Sequence, residues 1–255
     1  MTGIQVTRVA AVTVVTLANG PLNLLTVAGR RELETLAHKL RGDEETRAVV
    51  ITGSGRCFSA GTDITEFPRD AAAGRARSRT EHACADAIAA LPQPVIAALH
   101  GHVLGGGLEL ALACDLRVAD ETARLGLPEV KLGVFPSAGG TQRLPRVIGA
   151  SRAKELMFRG DTVDARRALE LGIVDHVVEA GTARTFALEL ATTIASRPAR
   201  AVQAIKAAVD GGLSNGAATG RQLEANLIGE LYATQDAQEG VAAFLERRPP
   251  VFRHR

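Results

Sequence analysis

A glutamate that follows three glycines poses the chemical question in this chain. In Gly101-His102-Val103-Leu104-Gly105-Gly106-Gly107-Leu108-Glu109-Leu110-Ala111-Leu112-Ala113 the glycines precede a short apolar run that reads as a helix from Leu108 to Ala113. Glycine lets backbone approach a ligand closely, and the first-turn N–H groups of a helix have no partners inside it. The helix dipole adds positive potential at the same end, which favours a carbonyl oxygen that is gaining negative charge. Glu109 comes three residues after Gly106, on the same face and one turn deeper. Leu108, Leu110, Ala111 and Leu112 surround it with apolar side chains, which predicts burial. A buried carboxylate is costly unless it is paired, hydrogen-bonded or protonated. The plain reading is a salt bridge to an arginine; the adjoining glycines favour a chemical role.

Glu129 lies twenty positions on, in Leu127-Pro128-Glu129-Val130-Lys131-Leu132-Gly133. A strand returning along a sheet would bring it beside Glu109, and two carboxyls facing one pocket suit paired proton transfer. The alternative is an exposed turn in which Glu129 pairs with Lys131. A third segment, Phe58-Ser59-Ala60-Gly61-Thr62-Asp63-Ile64, places small residues just after a strand and can supply a second backbone N–H. It also reads as an ordinary turn with an Asp cap.

The elements that must hold these residues follow from pattern. Alternating Val and Thr predict strands over Ile4–Val9 and Val12–Leu17, and Asn19-Gly20-Pro21 a turn. Thr26 caps a helix to about Leu40, with Leu33, Leu36, Ala37 and Leu40 on one face. Ala48–Thr52, Pro94–Leu99, Leu116–Ala119 and Ile173–Val178 read as strands. The arginine-rich stretch Pro68–Arg79 reads as a long surface loop or irregular helix ahead of a helix at Glu81–Leu91. Helices are also predicted at Ser151–Phe158, Asp164–Leu171 and Ala183–Ala195, and beyond Pro198 only helices, at Ala199–Val209, Gln222–Ala233 and Asp236–Glu246. The chain therefore divides into a core over residues 1–197, built of stacked strand–turn–helix units, and a helical region over 198–255.

Composition narrows the partners. The 255 residues are 46% hydrophobic and 23% charged, a globular profile. A formal charge of +2 and only eight aromatic residues, none of them Trp, argue against a nucleic-acid binder but leave room for a small anionic ligand. Cys57, Cys84 and Cys114 form no CxxC and imply reduced thiols in the cytoplasm. Met1 to Thr16 lacks the pattern of a secretion signal, and Val95–Leu116 is too interrupted for a membrane span. His100 and His102 lack a third ligand nearby, so no metal site is expected.

Taken together, Cys57-Phe58-Ser59-Ala60-Gly61-Thr62-Asp63-Ile64, Pro94 to Gly101, Gly105-Gly106-Gly107-Leu108-Glu109-Leu110-Ala111, Leu127-Pro128-Glu129, the run Pro136 to Arg146, and Glu239 to Pro249 resemble the enoyl-CoA hydratase/isomerase, or crotonase, family over nearly the whole chain. The resemblance implies an α/β spiral of ββα units with a helical C-terminal trimerisation region, a homotrimer or dimer of trimers, and an acyl-CoA thioester substrate with no separate cofactor. It places the oxyanion-binding N–H groups on Thr62 and Gly106, and the two hydratase glutamates on Glu109 and Glu129. It places coenzyme A against Ala60, Gly61, Thr62, Asp63, Ile64, Gly105 and Gly106, and against Leu22 and Leu24 of the Pro21–Leu25 segment. Arg69, Arg75, Arg77 and Arg79 are candidates for its 3′-phosphate, although such a run is also an ordinary solvated face.

Retention of both glutamates points to an enoyl-CoA hydratase in fatty-acid or related acyl-CoA degradation. A Δ3,Δ2-enoyl-CoA isomerase using one glutamate, another acyl-CoA lyase of the family, and a non-catalytic acyl-CoA-binding protein are the alternatives. A peptidase of the related ClpP-type fold would need a Ser nucleophile in an elbow motif, and none is present. The sequence departs from the family at His100, often Asn, and Ser137, often Gly.

Overall fold

The computed structural model describes residues 3–254; Met1 and Thr2 of the N-terminal segment, and Arg255 of the tail, lie outside them. Strands β1 (Ile4–Val9) and β2 (Val12–Leu17) form an antiparallel hairpin with the bounds the alternation predicts. Helix α1 (Val27–Arg41) starts at Thr26, whose side chain accepts from Gly29 N. Next come β3 (Ala48–Gly53), α2 (Ala71–Ala89), β4 (Val95–Leu99), β5 (His102–Leu104), α3 (Gly106–Leu112), β6 (Leu116–Asp120) and β7 (Arg124–Gly126). Helices α4 (Gly140–Ile148) and α5 (Ala150–Arg159), strand β8 (Thr162–Asp164), helix α6 (Ala165–Leu171), strand β9 (His176–Val178) and helix α7 (Ala183–Ala195) complete the core.

A six-stranded sheet runs β1-β2-β3-β4-β6-β9, parallel except for the hairpin, and a small sheet runs β5-β7-β8. Strands β4 and β6 of the large sheet are each followed within a few residues by a strand of the small sheet, β5 and β7. Both faces of the large sheet are covered, which is why β3 and β4 read as continuous apolar runs. On one face Ala183, Ala187, Ala191 and Ala195, a stripe with four-residue spacing along α7, pack on Val12, Val14, Val50, Ile96 and Val118. On the other, Leu33 and Ala37 of α1, Ile88 of α2 and Leu108 of α3 pack on Val15, Ile51 and Leu99.

Of the two readings of Pro68–Arg79, loop or irregular helix, the structure takes the helix: from Ala71 it is the first half of the nineteen-residue helix α2, capped by Asp70, whose carboxylate accepts from Ala72 N and Ala73 N at 2.9 Å. Of the strand expected over Ile173–Val178, only His176–Val178 forms. Ala and Arg are good helix formers, and this exposed half has no apolar stripe to announce it. The glycine-rich Gly101–Gly107 segment also contains the strand β5.

The tail is three helices, α8 (Ala199–Asn215), α9 (Ala217–Tyr232) and α10 (Gln235–Leu245). Lys206 Nζ ties α8 to the core through Asp115 Oδ2 at 2.7 Å. No residue of α8 is buried, and Ile205, Val209, Leu213, Ile228 and Tyr232 are exposed. No helix among the described residues is long and apolar enough to cross a membrane.

Candidate active site

Strand pairing brings the predicted residues together. β5 leads into α3, and β7 leads into the 3₁₀ turn Pro128–Leu132 that carries Glu129. The two strands run parallel with Leu104 opposite Gly126, and Gly105 N donates to Gly126 O at 2.9 Å. Residues just past both strands therefore emerge side by side, and Glu129 returns to Glu109 through the small sheet. Gly105 takes φ +51°, open to glycine, and any side chain on it would meet Glu129 Oε1 at 2.9 Å.

The segment 59–62 forms the opposite rim. Ser59 pairs with Val103 and Thr62 with Leu25 as isolated bridges, and Leu25 N donates to Gly61 O at 2.8 Å. Thr62 and Gly106 are adjacent, since a side-chain carbon on Gly106 would lie 3.5 Å from Thr62 N. Among the described residues neither N–H has a hydrogen-bond acceptor. Two free donors meeting at a helix start form a site for an oxygen that carries developing charge.

A cleft of about 520 Å³ opens here, with Glu109, Glu129, Thr62, Gly105 and Gly106 in its wall. Ala60, Gly61 and Ile64 also line it, as do Phe67, Pro68, Leu132, Val134 and Phe135, which make much of it apolar. Three other candidates fall elsewhere. Leu24 faces a separate hollow with Leu17 and Leu33, Leu22 is bound to the rim only through its carbonyl, which accepts from Ala60 N at 2.9 Å, and Asp63 caps the turn Ile64–Glu66 by accepting from Thr65 N at 2.9 Å. Of the four arginines, Arg75 and Arg77 line the cleft. Arg77 is held by Glu81 and by the carbonyls of Asp63 and Glu66, over the Phe67 ring. Arg75, among the described residues, makes no ion pair.

The two carboxyls have different surroundings. Glu109 is 3% exposed, and its Oε1 accepts from Ala138 N and Gly140 N, both at 2.8 Å. Burial pushes its pKa up, opposed by those two donors and by the Arg30 guanidinium. The plain alternative, a salt bridge to an arginine, is not what holds Glu109: backbone donors do, with arginine acting at longer range. Glu129 is half-buried, and among the described residues its Oε2 has no partner. Burial first, then the charge of Glu109, push it up to about 7. At neutral pH the site therefore holds one carboxyl poised between its acid and base forms.

This has a consequence for stability. A carboxyl whose folded pKa is raised binds more protons in the folded state between its ordinary pKa, 4.5, and about 7, so stability falls as pH rises through that window. Glu129→Gln removes the dependence. Thermal unfolding should show the variant gaining on the parent from pH 5 to pH 8, by up to about 3 kcal/mol; a difference that does not vary with pH would contradict the raised pKa.

Sequence reasoning missed a buried pair beside the cleft, Arg30 of α1 and Glu81 of α2. The signal was available. Each is a charged residue on the apolar stripe of its helix, Arg30 with Leu33, Ala37 and Leu40, and Glu81 with Cys84, Ala85 and Ile88.

Comparison with known proteins shows the family and the fold. The family model for enoyl-CoA hydratase/isomerase matches residues 7–255. The chain is 41% identical over 234 residues to a Mycobacterium bovis protein named "Probable enoyl-CoA hydratase echA8", covering 92% of this chain and 91% of that one. It is 37% identical to the short-chain-enoyl-CoA hydratase of Clostridium acetobutylicum, covering 94% and 92%. The crystal structure of an enoyl-CoA hydratase from Bacillus anthracis superposes with a TM-score of 0.95 at 38% identity, covering 99% of this chain and all of that one.

Proposed function

This chain belongs to the enoyl-CoA hydratase/isomerase family, and from that premise we infer that it is an enoyl-CoA hydratase, adding water reversibly across the 2,3 double bond of a 2-enoyl-CoA thioester to give a 3-hydroxyacyl-CoA. The observation that carries the reading is the meeting of Glu109 and Glu129 in one cleft with the unengaged N–H groups of Thr62 and Gly106.

The thioester oxygen sits between the two N–H groups. As water oxygen bonds to the β-carbon, the electron pair of the double bond moves toward that oxygen as an enolate, which the fixed donors stabilise more than the starting ester. Glu109 takes a proton from the attacking water, and its two backbone donors keep a carboxylate available despite burial. Glu129, poised near 7, delivers a proton to the α-carbon as the enolate collapses. Passage of the proton from Glu109 to Glu129 then restores both carboxyls, so that over the cycle one water supplies both the hydroxyl and the hydrogen, and no separate cofactor is needed. The apolar side chains at the mouth, Ile64, Leu132 and Phe135, are exposed and suit the acyl and pantetheine portions, and Arg75 is the cation for a phosphate.

The exposed apolar faces of α8 and α9 support assembly into a trimer or a dimer of trimers through the tail from residue 198, and three buried, unpaired cysteines are in keeping with a reducing cytoplasm, where acyl-CoA esters are degraded. The test is a turnover screen of 2-enoyl against 3-enoyl CoA esters over a range of chain lengths. Hydration of the 2-enoyl esters is expected; double-bond migration in the 3-enoyl esters without hydration would establish the isomerase instead, and binding with no turnover would leave only a carrier.

A further inference from the structure

Arg30 and Glu81 are buried, at 2% and 4% exposure, and have no task in the steps above. A buried ion pair gives no general advantage over an apolar pair of similar volume, so the packing of α1 on α2 does not account for it. Its contacts do. Arg30 Nη2 donates to Thr62 Oγ1 at 2.8 Å and lies 3.6 Å from Glu81 Oε1. The guanidinium and Thr62 Oγ1 together occupy the space that a side chain on Gly106 would take. Glu81 Oε1 also accepts from Arg77 Nε at 3.2 Å, and Glu81 Oε2 accepts from Ser137 Oγ at 2.9 Å. The residue after Ser137 is Ala138, the first of the two donors to Glu109. One polar chain thus runs from Thr62 through Arg30, Glu81 and Ser137 to the loop that holds Glu109.

We propose that Arg30 and Glu81 are positioning residues for hydration: Arg30 sets the Thr62 and Gly106 donors against each other, and Glu81, through Ser137, sets the loop that aims Glu109. This rests on the hydratase reading. The guanidinium also adds positive potential beside the two donors, where the thioester oxygen gains charge.

The test compares Arg30→Met, Glu81→Leu and the double variant. Glu81→Leu strands the buried Arg30 guanidinium and lowers the unfolding midpoint, whereas Arg30→Met leaves Glu81 paired with Arg77 and costs less; the double change removes both charges, leaves Arg77 on the carbonyls of Asp63 and Glu66, and returns the midpoint toward the parental value. Turnover does not return with it: kcat for crotonyl-CoA stays about 10- to 100-fold below the parent, with KM changed by less than about threefold. The share of bound acetoacetyl-CoA held as its enolate, read by near-ultraviolet absorbance, falls in the double variant as well. Parental kcat and parental enolate share in a double variant of parental stability would overturn the proposal. Should the double variant not fold, Ser137→Ala cuts the same chain with little packing change and is expected to lower kcat about 2- to 10-fold at unchanged KM; no change there would overturn it too. A parent that holds the enolate but hydrates no enoyl ester would refute the hydratase reading, while the enolate share would still decide the role of Arg30.

Discussion

Replacing Glu109 by glutamine is expected to lower hydration turnover by about 10²- to 10⁴-fold while leaving the fold intact. The substitution separates the two things this side chain does. Its Oε1 accepts from Ala138 N and Gly140 N, and a glutamine Oε1 can keep both bonds, so the loop 138–140 retains its anchor. What disappears is the basic oxygen that takes the proton of water. Removing a buried charge also removes a desolvation cost, so the unfolding midpoint should hold or rise. A further sign distinguishes this from general damage. The charge of Glu109 is one of the causes that raise Glu129, so its loss lowers the Glu129 pKa from about 7. The residual activity, which needs Glu129 protonated, should then decline at lower pH than in the parent. Circular dichroism and calorimetry check the fold, and kcat across pH 5–9 checks the chemistry. Parental turnover in this variant would remove Glu109 from the reaction.

How far the sequence announced this arrangement depended on the length scale of each signal. The hairpin β1/β2 was readable to the residue, because alternation over six positions is a strong pattern and Ala10-Ala11 breaks it. The meeting of Glu109 with Glu129 was readable only as a possibility of topology. The strands that bring it about, β5, β7 and β8, are three residues each, too short to show a period, and their pairing is non-local. The first half of α2 was readable only as a loop or irregular helix, for the opposite reason: it is long but faces solvent, so helix propensity and the Asp70 cap had to stand in for an apolar stripe. Asp63 illustrates a third case. Its motif and its turn chemistry coincide, and the structure uses the carboxylate as a cap. Arg30 and Glu81 broke the apolar pattern of their helices, and such breaks are where local rules yield to function. Neither charge could be paired with the other before α1 and α2 were placed side by side.

Gly106→Ala should damage both activity and stability, and this joint loss sets it apart from the glutamate variant. The new methyl carbon would stand 2.5 Å from Thr62 Oγ1 and against the Arg30 guanidinium, which is buried and has nowhere to retreat. Relief requires the start of α3 to move away from residue 62, costing about 1–3 kcal/mol of stability, as overpacking of a tight interior usually does. The alanine N–H is still present, so no donor is deleted. Its direction changes, and a donor that no longer points at the developing oxyanion is worth about as little as one removed, a loss of about 10²- to 10³-fold in kcat. Because the charge on the thioester oxygen is absent in the bound ester and develops as water adds, the loss should fall on kcat more than on KM. Both quantities are to be measured on one preparation, well below its unfolding midpoint, with acetoacetyl-CoA enolate formation read alongside. Glu109→Gln should keep that enolate signal, since both N–H donors are untouched, whereas Gly106→Ala should lose it. An alanine variant with kcat within about threefold of the parent would mean that the helix start does not bind the thioester oxygen, and the charge developing there would have to be met by other groups in the cleft wall.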